Sequence, residues 1–171
     1  MSATLKIPPQ DTDAQRSLYE RDFYAWTAEQ ARLIRSGSIA EIDLHNLAEE
    51  IESLGISEKR ELRSRVHTIV EHLLKLEFST SSGPVEGWME TVHRTRTEIE
   101  FLLADSPSLA GTTQQIVAQV QDSAAQAAAR SLRMHGEDAS GIAARMRAGG
   151  LSRDEVFGNW LPERHGRLGN G

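Results

Sequence analysis

Six histidines and 25 carboxylates are the side chains of this 171-residue chain that could ligate a metal or move a proton. His45, Glu49 and Glu52 stand at i, i+4 and i+7, which a helix sets along one edge. His67 and Glu71 make a second i, i+4 pair, and His93 falls in a later stretch. Carboxylates and imidazoles on facing helices build di-metal sites, which characteristically use Glu-x-x-His on two helices. That pattern occurs once, as Glu90-Thr91-Val92-His93, and no His-x-x-x-His accompanies it. The expectation is therefore no metal and no cofactor. Solvated helix flanks, with i, i+4 pairs worth ~0.2–0.5 kcal/mol each, are the plainer reading of these residues.

His72 borders an apolar face beside Ile69 and Leu76. Glu49, Glu50 or Glu52 on the preceding predicted helix and Arg96 on the following one could reach it. A half-buried cluster of this kind could do acid/base chemistry, because such sites hold shifted pKa values. More often such a cluster is an interhelical pin that fixes which faces meet. Gln30 falls inside an aromatic stripe, where an unpaired amide costs ~1–3 kcal/mol, so it is expected to bond a neighbouring helix or backbone. Trp26, Trp88 and Trp160 are expected in the core. No serine sits in a Gly-x-Ser-x-Gly elbow, and no glycine-rich phosphate loop occurs, so no catalytic residue is assigned.

The elements that must position these groups are helices. Proline occurs only at 8, 9, 84, 107 and 162, and glycine is missing from 10–36, 38–54, 56–82, 88–110 and 112–135. Those two residues break helices, at ~3 and ~1 kcal/mol relative to alanine. Apolar residues recur at helical spacing in each gap. Tyr19, Phe23, Trp26, Leu33 and Ile34 form the first stripe, closed by Gly37. Leu44, Leu47, Ala48, Ile51 and Leu54 form a second, closed by Gly55. Ser57 can cap a third helix with Leu62, Val66, Ile69, Val70, Leu73 and Leu76 inward. A loop at 79–84 precedes Trp88, Val92, Ile99, Leu102 and Leu103. Asp105-Ser106-Pro107-Ser108 reads as the start of a helix over 108–134, with Ile116, Val120, Ala124, Ala127 and Ser131 inward. A short helix over 139–148 and a capping box at Ser152-Arg153-Asp154-Glu155 follow. Phe101, Leu132 and Met134 lie off the main stripes. The reading is an all-α, irregular bundle of about five main helices plus a short C-terminal one: residues 1–12 a flexible N-terminus, 13–161 one domain, 162–171 a polar tail.

Composition narrows the partners. The formal charge is −6, and no cysteine is present, which excludes a disulfide frame, a cysteine zinc site and a thiol nucleophile. Neither half of the chain is basic, which argues against nucleic acid. The one basic cluster (Lys59, Arg60, Arg63, Arg65) follows an acidic one (Glu41, Asp43, Glu49, Glu50, Glu52, Glu58), and mutual neutralisation is expected. No apolar run approaches a membrane span, and the N-terminus lacks a signal peptide's apolar stretch, so a cytoplasmic, soluble protein is expected.

Phe23-Tyr24-Ala25-Trp26 with Gln30, the string Asn46-Leu47-Ala48-Glu49-Glu50-Ile51-Glu52-Ser53-Leu54-Gly55, and Glu71-His72-Leu73-Leu74-Lys75 carry a resemblance. Trp88, Thr91, Arg96, Glu98, Ile99 and Asp105-Ser106-Pro107-Ser108-Leu109 continue it, and Trp160-Leu161-Pro162 looks like its closing segment. Over about 20–135 the chain resembles the bacterial family named domain of unknown function twenty-nine. The resemblance implies an all-helical fold and no settled activity. The leading expectation is a non-enzymatic protein acting through helix faces, on itself or on a protein partner. The alternative is a metal-dependent or acid/base enzyme built on Glu49, Glu50, Glu52, His72 and Arg96.

Overall fold

The structure, a computed structural model, describes residues 18–163. The fold is all-α, with no strand among the described residues. Its contacts gather into two compact units, Met1–Ile56 and Ser57–Gly171.

In the first unit, residues 18–21 are helical, and a break at Asp22 leads into helix α1, Phe23–Ser36. The Asp22 carboxylate accepts the Ala25 amide at 2.9 Å, satisfying one of the donors that every helix start leaves over. Trp26, Gln30 and Leu33, spaced at i, i+4 and i+7, are the buried face. Gly37, at φ 73°, ends α1 in the left-handed conformation that glycine adopts without a Cβ penalty. The outer members of the expected first stripe do not follow it inward: Phe23 and Ile34 are exposed, and Tyr19 is half-buried. A single turn, Ile39–Glu41, then delivers the chain to α2, Leu44–Phe78.

Helix α2 corrects the expectation of two helices parted at Gly55. One glycine costs ~1 kcal/mol in a helix interior, less than an unbroken ladder returns when no proline adjoins it. Ser57 is therefore an interior residue rather than a cap.

The second unit owns the larger core. From α2 it takes Leu62, Val66, Ile69, Val70, Leu73, Leu74 and Leu76, all buried. Helix α3, Val85–Asp105, contributes Val92 and Ile99 to the same cluster, and the short α5 (Ser140–Arg147) and α6 (Arg153–Phe157) add Ile142 and Val156. Pro107 opens a tight turn, Pro107–Thr112, so α4 starts at Thr113 and runs to Met134, later than the 108 expected. On α4, Ile116, Val120 and Ala124 are inside as expected, but the C-terminal half of the face is rotated from the expected one. Ala127 and Ser131 are half-buried, whereas Val117, Ala125, Ala128, Ala129 and Leu132 are inside. Leu132 thus belongs to the core and not to an outlying patch, while Phe101 and Met134 are exposed as expected. Alanines let neighbouring backbones approach, which widens the face that α4 can bury. Gly141 works the same way in α5: a Cβ there would strike the Phe78 ring. Ser152 and Glu155 form the expected capping box at α6.

Candidate functional site

Glu49, Glu50 and Glu52 lie in the first unit, and His72 and Arg96 in the second. In the first unit, Glu50 accepts the Tyr19 hydroxyl at 2.6 Å. That bond, followed by burial and the nearby carboxylates, raises the phenol's pKa. Glu49 lies 3.4 Å from His45 across one helical turn, both well exposed, and Glu52 is exposed.

The dense polar centre of this unit is a residue that the sequence reading placed only among the acids. Asp43, 3% exposed, stands just before α2. Its carboxylate accepts the Asn46 amide N–H at 3.3 Å and the Asn46 side-chain amide at 2.7 Å. The Trp26 indole N–H reaches the same carboxylate at 3.3 Å. Gln30, as expected, bonds backbone: its Oε1 accepts the Asp43 N–H at 2.9 Å. One aspartate thus caps a helix and ties it to the buried face of α1. The usable signal was Asp43 three residues before Asn46, a helix-start spacing.

In the second unit, His72 Nδ1 sits 2.9 Å from the Thr68 carbonyl oxygen. Burial lowers the imidazole pKa; the Thr68 bond opposes that, Lys75 reinforces it, and Glu71 opposes it. Lys75 is itself 6% exposed, held by Glu71 at 2.7 Å and lying 5.6 Å from the Trp88 ring centroid. Arg96 is spent elsewhere. Its Nε donates to the Val156 carbonyl at 3.0 Å, and its Nη2 to the carbonyls of Glu155 and Trp160 at 2.7 and 2.8 Å. Burial lowers its pKa as well. No hydrogen bond joins Arg96 to His72.

Three further clusters stand out. Glu137 clasps the 79–84 loop, accepting the Ser79 hydroxyl at 2.8 Å and the Thr80 and Ser81 amides at 2.5 and 3.3 Å. Burial alone would raise its pKa, but these bonds outweigh that and lower it. Arg145 pairs with Glu155 and lies 3.7 Å from Glu77. Third, a cleft of about 660 Å³ opens between α2 and α4, walled by Arg60, Arg63, His67 and Thr68 on one side and Gln119 and Ser123 on the other. Arg65 is neutralised, by Glu61 at 2.6 Å and by Glu98, but Arg60 and Arg63 have no ion-pair partner among the described residues. Neither partner of Arg65 belongs to the acidic cluster that was expected to neutralise it, and Arg60 and Arg63 are left out altogether.

Among the described residues no group of three or more histidines and carboxylates is gathered as metal ligands would be. No described helix is long and apolar enough to cross a membrane. Neither a curated protein nor a solved structure matches the chain. The family model described as Domain of unknown function DUF29 matches residues 18–140, well over half of the chain. Its span contains the Asp43 knot, His72 with its neighbours, and Arg96 on α3, and to that family this chain belongs.

Proposed function

We propose that this is a non-catalytic cytoplasmic protein that acts through a helix face of its first unit, and that the face is taken by a second copy of the chain. One observation carries the reading. Leu44, Leu47, Ile51 and Leu54 follow the 3–4 alternation of a coiled-coil seam, yet Ile51 and Leu54 are 61% and 69% exposed. Leu44 is also exposed and Leu47 half-buried.

The surroundings of the seam favour a like partner. Ala48 and Gly55 flank it on one side, small enough for a second backbone to come close, and Gly55 has nothing within 4 Å of where a Cβ would stand. Glu49 and Glu52 project off the seam at the outer heptad positions, and Glu50 is engaged by Tyr19. A row of three leucine–leucine and leucine–isoleucine steps is complementary to itself, which is the requirement of a two-fold interface. Two heptads bury less than the ~1,200 Å² of a tight complex, so the pair is weak.

Sedimentation velocity across a concentration series tests this. The wild-type chain should show weak, concentration-dependent self-association, as a small interface implies. Ile51→Glu with Leu54→Glu should sediment as a monomer throughout, with the Trp26 emission unchanged. A wild-type chain that stays monomeric at millimolar concentration overturns the reading. The competing acid/base or metal-dependent enzyme, built on Glu49, Glu50, Glu52, His72 and Arg96, has no specific observation in its favour. His72 and Arg96 bond backbone carbonyls of different elements, and the buried Arg96 Nη1 has no hydrogen-bond partner among the described residues.

A further inference from the structure

We infer that the cleft between α2 and α4 is a binding site for a small phosphorylated compound, a phosphate monoester dianion on a hydroxylated carrier. Arg60, Arg63 and His67 stand at i, i+3 and i+7 of one helix, so one face presents two guanidinium groups and an imidazole to the same cavity. No carboxylate lines that cavity, although the chain carries six more acidic than basic groups. Two unpaired arginines turned into a carboxylate-free hollow on an acidic protein offer two positive charges to a ligand with two negative ones. Guanidinium forks fit the oxygens of a phosphoryl group two at a time.

The rest of the wall matches a hydroxylated carrier. Thr68 donates to the Ser64 carbonyl at 3.2 Å and Ser123 to the Val120 carbonyl at 2.9 Å, so both hydroxyl oxygens keep lone pairs for a ligand's own hydroxyls. Gln119 adds an amide that both donates and accepts. No phenylalanine, tyrosine or tryptophan ring is in the wall, which leaves a nucleobase only the His67 imidazole and the guanidinium planes to stack on. About 660 Å³ holds a sugar phosphate with room for water.

The test is calorimetric titration of the full chain with ribose 5-phosphate, ribose, inorganic phosphate and a single-stranded RNA oligomer. Ribose 5-phosphate should bind saturably and more tightly than inorganic phosphate, and ribose alone should give no heat. Arg60→Gln with Arg63→Gln should weaken the sugar phosphate at least tenfold. These side chains are exposed, so the fold should survive, which circular dichroism checks. Lys59→Gln with Arg130→Gln removes the same charge from outside the cavity and should leave the affinity within twofold. The inference is overturned by an absence of saturable binding of the sugar phosphate up to 10 mM. It is equally overturned if the two double variants weaken binding alike, or if RNA binds more tightly than the sugar phosphate, since each marks a generic response to negative charge.

Discussion

Asp43 shows how much one carboxylate can be asked to do. It accepts from a helix's early amide, from Asn46 and from Trp26, all in a buried setting. Asp43→Ala removes a cap worth ~1 kcal/mol and leaves buried donors unpaired at ~1–3 kcal/mol, so a loss of about 2–4 kcal/mol is expected in urea unfolding. Asp43→Asn should recover part of it. His72 makes a prediction of a different kind. Its folded pKa lies below the ordinary histidine value, chiefly through burial, so the unfolded chain binds the proton more readily. The stabilisation it brings is present above that value and is lost as pH falls towards the folded pKa. Unfolding free energy should therefore decline from pH 7 downward in the wild-type chain and be flatter over the same interval in His72→Gln. The histidine itself was visible in the sequence as a polar residue beside an apolar stripe. Its partners were not, because Thr68 serves it through a backbone carbonyl, which no side-chain pattern encodes.

At the scale of elements, helix existence was legible from apolar spacing, as was the inward face of α2 from Leu62 to Leu76, whereas the stripe from Leu44 to Leu54 is largely exposed. Helix ends were legible where a cap speaks for itself, as at Gly37 and Ser152. Gly55 was not, because a glycine stops a helix only where tertiary structure needs the stop. Its position in α2 is exposed and sterically open. Gly55→Ala should therefore stabilise the chain by about 0.5–1 kcal/mol and raise its far-ultraviolet helical signal, since alanine keeps the same conformation with less entropy to lose. A loss of stability would mean that α2 bends at that residue in solution. The rotated face of α4 has another origin: alanine is small enough to sit inside or outside, so a run of five alanines around Gln126 does not specify which edge packs. Packing against Ile142 and Val156 settles it.

The whole molecule carries two cores of unequal weight. Among the described residues, the first unit's buried side chains are Trp26, Leu33 and Ile42 with Gln30, Asp43 and Asn46, a set in which polar groups match apolar ones in number. The second has the long apolar cluster running from Leu62 to Val156. Short segments with little apolar burial are marginal on their own. In a Trp88→Phe, Trp160→Phe variant, Trp26 reports the first unit alone, and its emission should change at a lower urea concentration than the far-ultraviolet signal. Coincident curves would show one cooperative transition instead.

The grip of Arg96 on residues 155–160 bears on where this family should be cut when its members are produced. The family match stops at 140, short of every carbonyl that the guanidinium holds. A fragment trimmed to that limit would lose all three acceptors of Arg96 and the Ile142, Leu151 and Val156 side chains that complete the core. Expression trials that follow the catalogue boundary would thus report an insoluble domain where the longer chain folds.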